Sequence, residues 1–233
     1  MKSDRRHVRI RLLLSWSLLV LSACAPSVAP RAPSSVDAGK LSIATDAAAD
    51  SLLVDLQLLA PQIRVGLRYA TSDNFTGAPL PGYEGNHAFL RREAAVALAR
   101  VARRASAEGL SLYVFDSYRP VRATLAMVAW TERTGRQKLI SDGYIASRSR
   151  HNLGLAIDLT LVDAKAGEPL DMGTPFDTFS PAAHTANATG PTLANRRRLQ
   201  RLMEAEGFVN YDQEWWHYTF VVPDPVRFDR VIR

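Results

Sequence analysis

Ser149-Arg150-His151-Asn152-Leu153-Gly154-Leu155-Ala156-Ile157-Asp158-Leu159-Thr160-Leu161 joins a turn to a strand. From Leu155 onward the residues alternate. Leu155, Ile157, Leu159 and Leu161 share one face, and Ala156, Asp158 and Thr160 share the other. Successive side chains of a strand point to opposite faces, so this one packs an apolar face on a core and carries a carboxylate on the other. His151 and Asp158 are seven apart, and on one straight strand they would point apart. Asn152 and Gly154 tolerate unusual backbone angles, which lets the chain bend and bring both to one metal ion. A buried carboxylate at Asp158 needs a cation or hydrogen-bond donors.

The second informative stretch is Glu214-Trp215-Trp216-His217. Glu214 and His217 are three apart; in a strand they diverge, and in a turn entering a strand they converge. His151, Asp158 and His217 form a set of two histidines and one aspartate that suits zinc with one position left open. Catalytic zinc takes three protein ligands and a water, whose pKa it lowers to about 7. Glu214 stands where a general base for that water is wanted. The spacing therefore points to a metal-dependent hydrolase. Taken alone it is also met by a hydrogen-bonded core histidine and a paired strand aspartate, and there is no helical HExxH to decide.

The chain has 233 residues. Lys2, Arg5, Arg6, Arg9 and Arg11 precede an apolar run from Leu12 to Leu21 that is short for a membrane span, which needs about 20 apolar residues. The pattern reads as a signal peptide over residues 1–23. Leu21-Ser22-Ala23-Cys24 resembles a bacterial lipobox, with the sole cysteine as the lipid-bearing residue. The protein is then exported and lipid-anchored on the periplasmic side of a membrane, the outer membrane foremost; ordinary secretion with an unmodified Cys24 is the alternative. One cysteine allows no internal disulfide. The net charge of +6 falls to +2 once residues 1–23, with five basic residues and one acidic, are removed. That weakens any nucleic-acid partner. Residues 24–50, rich in Ala, Ser, Pro and Asp, read as a flexible tether, and residues 51–233 as one domain.

Within that domain the spacing predicts helices over 90–108, 121–134 and 192–206, the last with Thr192 as N-cap. Strands are expected over 110–115, 155–161 and 215–222. No Gly-rich phosphate loop opens a helix. The order favours an α+β fold with helices on a central antiparallel sheet. His87 and His184 sit in loop-like stretches and read as solvated or hydrogen-bonded. Tyr211, Trp215, Trp216 and Tyr218 read as core and pocket wall.

Beyond spacing, the chain resembles the VanX-type zinc D-alanyl-D-alanine dipeptidases of peptidase family M15. Ser149 to Asp158 fits that family's Ser-x-His-x-x-Gly-x-Ala-x-Asp, and Glu214 to His217 its Glu-x-Trp-His. Three further blocks resemble it in order: Tyr69-Ala70-Thr71 through Gly82-Tyr83, Asp116-Ser117-Tyr118-Arg119-Pro120, and Asp171-Met172-Gly173-Thr174-Pro175-Phe176-Asp177. The resemblance implies one zinc per chain on His151, Asp158 and His217, with Glu214 as general base and proton shuttle. It implies Arg119 at the oxyanion, and Ser149 and Asp177 against the substrate, Asp177 meeting its free ammonium group. The implied fold is the small α+β one shared with D,D-carboxypeptidases and the hedgehog signalling domain. The implied reaction is hydrolysis of a short D-amino-acid dipeptide. A carboxypeptidase trimming peptidoglycan peptides and a non-catalytic zinc domain that binds a partner are the rivals.

Overall fold

The computed structural model describes residues 41–233. The signal peptide, Cys24 and most of the tether lie outside the described residues. In chain order the elements are α1 (Asp46–Leu52), β1 (Leu53–Asp55), α2 (Leu56–Leu59), β2 (Arg64–Val65), β3 (Phe89–Arg91), α3 (Arg92–Ala107), β4 (Leu110–Asp116), α4 (Val121–Arg133), α5 (Lys138–Ser141), β5 (Ala156–Asp163), α6 (Gly190–Glu204), β6 (Val209–Asn210) and β7 (His217–Thr219). The main sheet has the order β2-β4-β5-β7-β6, and β1 pairs with β3 in a second, two-stranded sheet. Within the main sheet only β2–β4 is parallel; the other pairs are antiparallel. The architecture is the expected α+β domain around a largely antiparallel sheet. No helix of the described residues is long and apolar enough to cross a membrane.

β5 forms where the alternation placed it and is buried on both faces. Ile157 pairs across from the buried Tyr218 on the same face, and α6 packs against β5 and β6. Asp158 and Thr160 face the other way. α3 buries Ala94, Ala95, Ala97, Leu98, Val101, Ala102 and Ala105 on one side. Such small side chains let a helix lie close to a sheet, and α3 packs on β4 and on α6.

Several boundaries differ from those the sequence suggests. The tether read over residues 24–50 gives way to structure before its end. Thr45 caps α1 by accepting from the Ala48 amide, Ala49 is buried, and Ile43 bridges to Arg227. The predicted helix over 90–108 begins at Arg92, because Phe89–Arg91 pairs with β1. The last long helix starts at Gly190 behind an N-cap position held by Thr189; Thr192 instead donates to Asp171. The aromatic run 215–222 yields only the three-residue β7. Trp215 and Trp216 lie in the turn before it, where the His217 amide donates to the Glu214 carbonyl.

Candidate metal centre and catalytic site

Three neighbouring strands set the site. Asp116 at the end of β4 is opposite Asp158 on β5, and Asp158 is opposite His217 on β7. Directly paired residues share a face, so the three side chains form one row. His151 reaches this row from a 3-10 turn, Arg150–Leu153, that Ser149 caps by accepting from the His151 amide at 3.2 Å. The turn ends on Gly154 at φ +63°, the left-handed conformation that favours glycine. A Cβ there would come within 2.6 Å of Leu53 Cδ2 and 3.1 Å of the Arg91 amide nitrogen. The bend expected from Asn152 and Gly154 is thus present.

His151 Nδ1 donates to the Ser117 carbonyl at 2.6 Å. A carbonyl only accepts, so the proton sits on Nδ1 and the lone pair on Nε2 points into the site. His151 Nε2 lies 3.2 Å from His217 Nδ1 and 3.4 Å from Asp158 Oδ2, and His217 Nδ1 lies 2.9 Å from Asp158 Oδ1. Tetrahedral ligands bonded at about 2.0–2.1 Å stand about 3.3 Å apart, so the three donors match one metal ion. Among the described residues these three are the group with that capacity.

The charges agree. Asp116, Asp158, Asp177 and Glu214 converge here against one arginine, Arg119. Burial, then the Asp158 and Asp177 carboxylates, push the Glu214 carboxyl well above the usual carboxylate range. Burial and Asp158 do the same to Asp177. Asp158 itself is held low: burial raises it, but His151 and His217 together outweigh that. Burial keeps the His217 imidazole neutral below its ordinary pKa, as a metal ligand must be. A divalent cation would offset this surplus of negative charge.

Glu214 lies in the turn before β7, with Oε2 3.9 Å from His217 Nδ1. Arg119 is buried. Its Nε and Nη2 donate to Asp116 at 2.9 and 2.8 Å, and Nη2 is 3.7 Å from Asp158 Oδ2. Nη1 has only the Met127 thioether at 3.4 Å, a weak acceptor, and so keeps donor capacity. The guanidinium rests 4.9 Å from the centre of the Tyr69 ring. The Tyr69 hydroxyl donates to both Asp177 oxygens, at 3.0 and 3.1 Å. Asp177 is the one non-glycine described residue with positive φ, +61°, and held strain of that kind collects at functional sites.

The structure therefore brings His151, Asp158, His217, Glu214, Arg119 and Asp177 together, with Ser149 capping the metal turn. His87 and His184 stand apart, bound to Asp55 and Tyr144. Three contributors carry no role in the spacing argument: Tyr69, Asp116 and Tyr83, whose hydroxyl donates to Asp116 at 2.6 Å. Their only sequence signal is that they fall inside the family-like blocks.

The Peptidase M15 family, described as D-ala-D-ala dipeptidase, matches residues 49–225. The chain is similar to the D-alanyl-D-alanine dipeptidase of Enterococcus faecium, 40% identical over 171 residues that cover 67% of this chain and 85% of the relative. It is similar to the D-alanyl-D-alanine dipeptidase of Streptomyces coelicolor, 38% identical over 176 residues, 69% of this chain and 87% of the relative. A solved LD-carboxypeptidase, LdcB, has a TM-score of 0.41 and 21% identity over 57% of this chain and 59% of its own. With a metal-ready triad inside the matched span, this chain belongs to the Peptidase M15 D-Ala-D-Ala dipeptidase family of metal-dependent peptidases.

Proposed function

We propose that the protein is a zinc-dependent dipeptidase that cleaves D-alanyl-D-alanine or a similar short D-amino-acid dipeptide in the bacterial envelope. The observation that carries this reading is the convergence of His151, Asp158 and His217 with a buried, proton-avid Glu214 on one side and the Arg119 guanidinium on the other. Zinc, when bound, would activate water and polarise the scissile carbonyl. Glu214 takes the proton of the attacking water and returns it to the leaving amine; its raised pKa suits a group that must do both. Arg119 Nη1 donates to the carbonyl oxygen as negative charge grows there, and Asp116 keeps the guanidinium aimed. Asp177, oriented by Tyr69, accepts the substrate ammonium, which also returns the carboxyl to its charged form. The Ser149 hydroxyl accepts from the His151 amide and keeps its own proton free to donate to the substrate.

A free amino end on the substrate would give the buried Asp177 carboxylate a cationic partner beside its Tyr69 hydrogen bonds. The test is to incubate zinc-loaded protein with D-Ala-D-Ala, with N-acetyl-D-Ala-D-Ala and with a pentapeptide ending in D-Ala-D-Ala. The free dipeptide should be cleaved at least tenfold faster than either, and Asp177→Ala should erase most of that preference. Equal rates on all three would replace the dipeptidase reading with a carboxypeptidase that trims longer peptides.

The lipobox-like Leu21–Cys24 supports a further part of the proposal, a lipid anchor at Cys24 on the periplasmic side of a membrane.

A further inference from the structure

The outer side of α3 carries Val96, Arg100, Arg103 and Arg104 on one exposed stripe. α6 packs beside it and adds Arg197, Arg198 and Arg201. Two glutamates are each clasped by a pair of these arginines. Glu206 is held by Arg100 and Arg104, and Glu108 by Arg198 and Arg201. Among the described residues Arg103 and Arg197 have no carboxylate partner, and Arg197 donates to Gln200. With Glu204, the surface holds six arginines against three glutamates, a net of +3. Residues 41–233 as a whole hold 22 basic and 21 acidic residues, a net of +1. The remainder of the domain is therefore net −2. The positive charge is segregated onto one helix pair.

This face lies behind the sheet from the metal centre. Tyr218 and His217 are neighbours on β7, so their side chains point to opposite faces of the sheet, and α6 packs on the adjoining strands β5 and β6. A surface bound here leaves the catalytic side clear. The face also has apolar members. Val96 is 42% exposed within the arginine stripe, and the neighbouring helix α2, which packs against α3, adds Leu58 at 85% exposed beside this face. Arginines around exposed aliphatic side chains suit a lipid interface, where the charges meet headgroups and the apolar groups enter the acyl boundary. A dissolved polyanion gains nothing from Val96 or Leu58.

We propose that the α3–α6 face docks the protein flat on an anionic phospholipid bilayer. This reading is independent of the dipeptidase assignment and of any lipid on Cys24.

The test is sedimentation of the full chain with vesicles of equimolar phosphatidylglycerol and phosphatidylcholine, against pure phosphatidylcholine vesicles. The basic N-terminal segment is common to all variants and cancels in the comparison. Each arginine near such a surface is worth about fivefold in binding, so Arg103→Ala/Arg197→Ala should bind the anionic vesicles about 25-fold more weakly. Neither residue makes an ion pair among the described residues, so the melting temperature should not move and will show that the variant is folded. Leu58→Ser/Val96→Ser should weaken vesicle binding and leave binding to soluble polyglutamate unchanged. Equal vesicle binding by wild type and the double-arginine variant overturns the proposal. So does a Leu58→Ser/Val96→Ser protein that binds vesicles as tightly as wild type, which would make the face a site for soluble polyanions.

Discussion

Tyr69 ties the two ends of the site together. Its ring supports the Arg119 guanidinium and its hydroxyl fixes Asp177, so one side chain sets the spacing between the two groups that would meet a substrate. Substitution distinguishes the proposed liganding groups from the proposed reacting ones. His217→Ala should lose most bound metal by elemental analysis, because one of three donors goes. Glu214→Gln should keep its metal and lose about 10²–10⁴ in turnover, since only the proton acceptor is removed. A Glu214→Gln enzyme with normal turnover would take that residue out of the chemistry. The strand of Asp158 and the bend after His151 were legible from local pattern, because alternation and a glycine turn are short-range facts; that His217 joins them followed from the family resemblance, since spacing alone left the set open. Tyr69 and Asp116 were not, because their importance comes from partners 108 and 42 residues away in the chain.

At the level of elements, β5 was the most legible part, since its alternation states both its geometry and its faces. β2 and β6, two residues each, have no pattern long enough to read. β7 was over-read because Trp215 and Trp216 have strand-like side chains but lie in the turn that presents Glu214. Gly154 links element to site. Gly154→Ala combines a left-handed backbone with a contact against Leu53 and the Arg91 backbone. It should cost about 2 kcal/mol in urea unfolding and loosen metal binding by moving His151. Unchanged stability would mean that the turn relaxes freely. The Glu206 clasp across α3 and α6 is sensitive to pH. Hydrogen bonds from Arg100 and Arg104 hold Glu206 below its ordinary pKa. Its contribution is therefore present above the unfolded value of about 4.3 and lost as pH falls through the folded one. Glu206→Gln should unfold at lower urea than wild type at neutral pH, with the gap closing below about pH 4.

Across residues 41–233, the sheet carries the candidate site on one face and the arginine-rich helix pair α3–α6 packs against it. If Cys24 carries lipid, Cys24→Ser should move the protein from the membrane fraction to the soluble one after a high-salt wash, which removes electrostatic docking as well. Retention on washed membranes would end the anchor proposal. The segment near residue 230 has a different consequence. The Phe228 amide donates to the Asn152 carbonyl and its carbonyl accepts from Val121, while Ile232 exchanges backbone hydrogen bonds with Gly82 and Glu84. These contacts brace the turn bearing His151 and the start of α4, yet they come from residues made after all three metal donors. A growing polypeptide that has reached His217 holds every donor but lacks the brace. Removing residues 228–233 should therefore weaken metal binding although no proposed donor is touched.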